Sequence, residues 1–209
     1  MRFGAAAIDT RGKPVTAVQP RKIAGRWRDG YALDLHTLSS TYLGSNEFGH
    51  PMFDTTYSEV GALLHRLKYN GDTSVVPDIV TTAAGFLTTW NPTIDVIVPV
   101  PATRSRMTQP VALLASALGT MLTVPVVDAV KRIRDLPELK NVSDYDERLR
   151  LLAGAYDADT LQVRSKHVLL LDDLYRSGAT MNAIATVLYD VGGAADVVAL
   201  TVTRTRTKQ

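Results

Sequence analysis

The chain of 209 residues contains no cysteine, which excludes disulfides and any thiolate metal site. Its charges nearly cancel: 23 Lys and Arg stand against 21 Asp and Glu, and the formal net charge of +2 gives no basis for broad electrostatic capture of nucleic acid or membrane. No apolar run is long enough to span a bilayer, and residues 1–9 lack the length a signal core needs. A cytoplasmic protein without a membrane partner is therefore expected. Also absent are Gly-x-Gly-x-x-Gly, a Walker A sequence and His-Glu-x-x-His, the commonest marks of dinucleotide, P-loop and zincin chemistry. No repeat or low-complexity segment occurs. With 45% apolar and 21% charged residues, the chain suits one α/β domain with its own core and a modest appendage.

What is present centres on Val168-Leu169-Leu170-Leu171-Asp172-Asp173-Leu174-Tyr175, followed by Arg176-Ser177-Gly178-Ala179-Thr180. Four successive apolar residues fit a strand covered on both faces, as in a parallel sheet. The glycine and small hydroxyl residues then open a helical pattern at Ile184, Val187, Leu188 and Val191. Backbone N–H groups of residues 176–180 would converge at a helix N-terminus, where free donors and the helix dipole favour a phosphate. Ser177 and Thr180 add hydroxyl donors. Carboxylates would repel that phosphate, so Asp172 and Asp173 better suit hydroxyl groups of a sugar. The implied ligand is a phosphorylated sugar.

The remaining chain reads as a β-rich entry followed by alternating helices and strands. Residues 1–20 look irregular, and Asp29-Gly30 between alternating segments signals a hairpin within 25–36. Thr56-Tyr57-Ser58-Glu59 fits a capping box before the helical face of Val60, Leu63, Leu64 and Leu67, which ends at Asn70-Gly71. Helices are expected over 77–90, 108–120 and 179–191, and strands over 94–100, 123–127, 167–172 and 196–203. That alternation predicts a mostly parallel sheet flanked by helices, with residues 1–55 as an N-terminal arm and hairpin and 56–209 as the main domain.

A second chemical element is the strand end Ile94-Asp95-Val96-Ile97-Val98-Pro99-Val100-Pro101, leading to Ala102-Thr103-Arg104-Ser105-Arg106. Ligands of open α/β sheets gather beyond strand carboxyl ends, and Arg104 and Arg106 offer planar charged donors suited to a pyrophosphate. Residues 128–150 mix Lys131, Arg132, Arg134, Lys140, Arg148 and Arg150 with Asp135, Glu138, Asp144, Asp146 and Glu147, a pattern that fits either a solvated surface or a mobile, ligand-binding loop. Trp27, Tyr31, Tyr42 and Phe48 are either core residues or stacking surfaces for a base. Asp34, His36, His50 and Asp54 match no common metal-site spacing, and His65 and His167 read as structural.

The 168–180 segment resembles the 5-phosphoribosyl-1-pyrophosphate (PRPP) signature of type I phosphoribosyltransferases, an apolar strand, Asp-Asp, two variable residues and Thr-Thr-Gly-Ala-Thr. The resemblance implies that Asp172 and Asp173 hold the ribose hydroxyls and that Arg176, Ser177, Gly178, Ala179 and Thr180 hold the 5′-phosphate. Arg176 replaces the usual threonine, and either strengthens phosphate binding or alters the entry path. Pro101, Ala102, Thr103, Arg104 and Arg106 correspond to the pyrophosphate loop. A mobile loop in the position of residues 128–150 closes over PRPP in that family, and Lys140 with one of Arg132 or Arg134 would reach the pyrophosphate and stabilise the leaving group. The implied fold is type I phosphoribosyltransferase-like, and the implied reaction transfers a phosphoribosyl group from PRPP, with Mg²⁺, to a nitrogenous acceptor. The hood over that acceptor falls to the N-terminal residues.

Within that family the spacing is similar to the ComF-like group, associated in bacteria with uptake of transforming DNA. Leu67-Lys68-Tyr69-Asn70-Gly71-Asp72, Val98-Pro99-Val100-Pro101, Arg132-Ile133-Arg134, Ser143, Glu147-Arg148 and Gly154-Ala155-Tyr156 carry the likeness. The group's four-cysteine zinc module is absent, its Arg-Gly-Phe-Asn-Gln is reduced to Arg106-Met107-Thr108-Gln109, and Leu139 and Leu151 stand where it has Gln and Asn. This likeness implies an alternative role: a PRPP- or nucleotide-binding accessory protein acting through single-stranded DNA or a helicase-like partner. DNA contact would then fall on residues 131–150 or the basic segment Arg204-Thr205-Arg206-Thr207-Lys208, and a homodimer is compatible with either role.

Overall fold

The computed structural model describes residues 16–102, 109–135, 142 and 144–206. Its centre is a five-stranded sheet of β1 (Arg21–Lys22), β2 (Asp29–Leu35), β5 (Val96–Pro99), β8 (His167–Tyr175) and β9 (Asp196–Arg204), in the order β1-β2-β9-β8-β5. β2, β9, β8 and β5 run parallel, and only the short edge strand β1 is antiparallel. The fold is therefore α/β, with a mostly parallel sheet flanked by helices. Val168, Leu169, Leu170 and Leu171 are at most 3% exposed, as their unbroken apolar run requires.

Side chains of β8 alternate between two cores. Leu169 and Leu171 pack with α1 (Glu59–Asn70), α2 (Val76–Trp90) and α3 (Pro110–Leu122). Val168 and Leu170 pack on the opposite face with α4 (Tyr145–Leu152), α6 (Ala179–Asp190) and the small antiparallel pair β6 (Val130–Arg132) and β7 (Tyr156–Ala158). A short helix, α5 (Thr160–Val163), joins β7 to β8. Each large aliphatic side chain sealed between these layers contributes about 1.5–3 kcal/mol.

Several expectations need correction. Asp29-Gly30 is not a turn but the start of β2; β1 and β2 are joined through residues 23–28, where Trp27 folds into the core at 8% exposure. β2 pairs with β9, so residues 29–35 belong to the main sheet and the appendage is the hairpin β3 (Thr37–Ser45) and β4 (Pro51–Tyr57). Thr56 lies in β4 opposite Ser39, and the cap of α1 is Ser58, whose Oγ accepts from the Gly61 amide and donates to the Leu35 carbonyl. Residues 123–127 make an isolated bridge, Val126 to Ile97, rather than a strand. The charged stretch 128–150 contains β6 and the start of α4.

Gly61 sets the approach of α1 to the sheet. A Cβ there would lie 2.3 Å from the His36 carbonyl oxygen. Gly61→Ala is expected to destabilise the fold by about 1–3 kcal/mol, although alanine is the better helix former by about 1 kcal/mol. Urea unfolding of the variant checks this, and a gain in stability would show that the helix can move away.

Candidate functional site

Parallel strands bring their carboxyl ends to one edge, and the sequence-predicted groups gather there. Pro99 pairs with Leu171 and the Val100 amide donates to the Leu171 carbonyl at 2.8 Å, so Pro101 and Ala102 leave the sheet beside Asp172 and Asp173. Thr103, Arg104 and Arg106 lie outside the described residues, as does Lys140. The β3–β4 hairpin starts at this same edge, directly after β2.

The two carboxylates of the acidic pair lie on opposite faces of β8. Strand alternation puts Asp172 on the side of Leu170, α6 and Tyr156, and Asp173 on the side of Leu171 and α1. Asp172 is pushed up to about 8, first by loss of solvation and then by the neighbouring Asp173 charge; the Asp173 amide, which donates to Asp172 Oδ1 at 2.8 Å, and the charge of Lys68 act the other way. Asp173 Oδ2 lies 2.8 Å from Lys68 Nζ, with side-chain exposures of 14% and 15%. Nearby, His36 Nδ1 is 3.2 Å from Thr203 Oγ1, and burial followed by the Lys68 charge lowers its pKa.

After Tyr175 the chain turns into α6 through Gly178, at φ 76°. A side chain here would be strained by the left-handed backbone, and its Cβ would meet the Tyr175 ring at 2.6 Å. That ring is held by its hydroxyl, which donates to the Ala24 carbonyl at 2.9 Å, and by the edge of Trp27. Gly178 brings no side chain to cap α6; the Ala179 amide reaches Ser177 Oγ at 3.5 Å, and the N–H groups that follow it in the first turn suit an external acceptor. Arg176 is exposed at the turn, Gly178 and Ala179 are buried, and Ser177 and Thr180 are half-buried.

Two contributors were missed by sequence reasoning. Lys68 was visible only as the second residue of the Leu-Lys-Tyr segment. Arg148 was noted only as a charge of 128–150 and as part of the Glu147-Arg148 likeness, yet its guanidinium donates to Ser177 Oγ at 3.0 Å and places a permanent positive charge on the turn. Arg134, the alternative to Arg132 for the pyrophosphate, donates to the Leu151 and Ala153 carbonyls at the end of α4. Arg132 lies opposite Tyr156 in the β6–β7 pair, 3.9 Å from Asp135, and Tyr156 feels the charges of both Arg132 and Asp172.

The aromatic expectations divide. Trp27 is core, and Tyr31 packs against Phe86 and Trp90; Tyr42 and Phe48 are exposed on the hairpin. Arg204 donates to the Lys22 carbonyl and covers the Tyr175 ring, while Arg206 donates to the Leu38 carbonyl. Thr207 and Lys208 lie outside the described residues. Among the described residues, no three His, Asp or Glu side chains gather as a metal site, and no helix is long and apolar enough to cross a membrane.

No protein-family model matches the chain, so the ComF-like likeness rests on its residues alone. Over 99 residues the chain is 31% identical to adenine phosphoribosyltransferase of Mycobacterium marinum, a match covering 46% of this chain and 53% of that protein. The chain thus spans about half the length of the curated relative it matches. Among solved structures, adenine phosphoribosyltransferase from Saccharomyces cerevisiae aligns with TM-score 0.47 and 13% identity over 80% of this chain and 84% of that one. Glutamine PRPP amidotransferase from B. subtilis aligns with TM-score 0.48 and 15% identity over 75% and 34%.

The raised pKa of Asp172 has a consequence for stability. Between the ordinary carboxylate range and about pH 8 the folded state binds more protons at this group than the unfolded state, so its contribution to stability falls as pH rises. Asp172→Asn keeps the acceptor for the Asp173 amide and abolishes the titration. Its melting temperature relative to the native chain is expected to climb steadily from pH 5 to pH 8, and a pH-independent difference would refute the raised value.

Proposed function

We propose that the chain binds PRPP with Mg²⁺ and transfers the phosphoribosyl group to a nitrogenous acceptor, releasing pyrophosphate. One observation carries the reading: a single buried strand delivers two carboxylates to a sheet edge and runs, through a left-handed glycine, directly into an uncapped helix N-terminus. That order places acceptors for sugar hydroxyls beside donors for a phosphate. The sequence identity with an adenine phosphoribosyltransferase supports it.

In this reading the amides of residues 176–180, the hydroxyls of Ser177 and Thr180, and Arg148 hold the 5′-phosphate. Asp172, on the α6 face, accepts a hydrogen bond from a ribose hydroxyl. Pro101 and Ala102 lead into the segment for the pyrophosphate, with Arg132 on the flanking β6. Mg²⁺ would come as part of the donor substrate and would supply positive charge to offset that of the leaving group. The acceptor nitrogen forms a bond to the anomeric carbon while the bond to pyrophosphate breaks; pyrophosphate keeps the electron pair and the acceptor loses a proton. The protein's share is position and electrostatics. The β3–β4 hairpin, leaving the sheet at the site edge, is the candidate hood for the acceptor.

Incubation with PRPP, Mg²⁺ and a panel of purines, pyrimidines and amines is expected to release pyrophosphate only when the right acceptor is present. Asp172→Asn is expected to weaken PRPP binding at least about tenfold, because an amide presents a donor where the hydroxyl needs an acceptor. Calorimetry showing unchanged PRPP affinity in the folded variant would overturn the assignment. Asp173→Asn is a poorer probe: it leaves the Lys68 ammonium enclosed without its partner, at a cost of about 3–5 kcal/mol.

A further inference from the structure

Lys68 lies between the fully buried Leu67 and the exposed Tyr69, and instead of turning to solvent its side chain runs under the site edge to Asp173. Ordering a lysine side chain costs about 1.5–2 kcal/mol, and taking an ammonium and a carboxylate out of water costs more than their attraction repays in many buried pairs. An exposed pair would return at most about 1 kcal/mol. Stability alone thus gives little reason to build this contact, whereas the position of its partner gives a strong one. Asp173 is chemically joined to Asp172, and its amide donates to the Asp172 carboxyl.

We propose that Lys68 is a positioning residue that acts through Asp173: it pins and neutralises that carboxylate, so that the adjoining Asp172 can carry the charge that accepts a ribose hydroxyl. The proposal rests on the PRPP reading for its ligand. Its electrostatic part stands on the ligand-free geometry. α1 is fixed by the Ser58 bond to the Leu35 carbonyl and by the close approach of Gly61 to His36, so the ammonium is held where it sits 2.8 Å from Asp173. The Lys68 charge favours the ionised form of Asp172, against the opposing Asp173 charge and the burial of the site.

The titratable groups around the pair come from every neighbouring element. Lys68 and His65 belong to α1, His36 follows β2, Arg176 lies in the turn, and Tyr156 and Arg132 face from the β6–β7 pair. Arg176 is exposed and Arg132 neighbours Asp135, so neither duplicates the enclosed contact that Lys68 makes.

The test uses the full chain with Lys68→Gln, which keeps a hydrogen-bond donor but drops the charge, and Lys68→Arg, which keeps the charge. Carbon-detected NMR of labelled aspartates follows the Asp172 carboxyl without ligand; calorimetry follows PRPP and Mg²⁺ binding from pH 6 to 9. In Lys68→Gln the Asp172 titration is expected to move up by about one unit, and PRPP affinity at pH 7 to fall about tenfold. The pH at which affinity rises should move with the titration. Lys68→Arg should restore the titration and most of the affinity, and circular dichroism confirms folding of both. An unmoved Asp172 titration in folded Lys68→Gln would overturn the proposal. Tighter PRPP binding in Lys68→Gln would also overturn it, by showing that Lys68 competes with the ligand. If the native chain binds no PRPP, the donor reading fails separately, and the ligand-free titration still decides whether Lys68 governs Asp172.

Discussion

Two carboxylates on consecutive residues of a covered strand are the constraint around which this molecule is arranged. Each must leave water in part, and the two repel each other through the short backbone that joins them. Strand geometry relieves this by sending them to opposite faces. On one face Asp173 meets Lys68 from α1; on the other Asp172 sits beside Tyr156 and the start of α6, with its proton held more tightly than usual. The helical layers on the two faces therefore do more than cover apolar surface. They give each acid a different environment.

The turn that follows depends on the same strand. Because β8 continues in register with β9 as far as Tyr175, that ring is fixed against Trp27 and the Ala24 carbonyl, and only a glycine fits over it at position 178. The glycine gives α6 its uncapped start, and α4 brings Arg148 to Ser177 from outside. Core packing near Trp27 is thus coupled to the geometry of a polar turn. A residue that looked like a candidate stacking surface acts as a brace for the candidate phosphate site.

Much of this was legible in the sequence because it is encoded locally. A run of four apolar residues needs cover on both faces, a glycine among small hydroxyl residues marks a turn, and residues recurring at helical spacing mark α1 and α6. The expected helix over 77–90 begins one residue early, and the strand over 196–203 ends one residue late, within the usual uncertainty of element ends. The errors were of another kind. Asp29-Gly30 has turn chemistry, but β9 offered it a parallel partner, and pairing across the chain outweighed local preference. Val124 and Val126 are apolar enough for a strand, but the chain there makes one bridge to Ile97 and leaves the sheet.

The sequence by itself determined the class of fold, the succession of α1, α2, β5, α3, β8, α6 and β9, and the coincidence of an acidic pair with a helix-opening turn, since these depend on neighbours a few residues apart. Only the tertiary structure decided the charge environment of that pair. Lys68 and Arg148 are more than 100 and nearly 30 residues from the groups they touch. Both stood in short family-like segments, Leu67-Lys68-Tyr69 and Glu147-Arg148, but nothing local named the groups they would meet. Their roles arise from where α1 and α4 dock, which is set by the packing of two apolar faces against a sheet whose strands come from both ends of the chain.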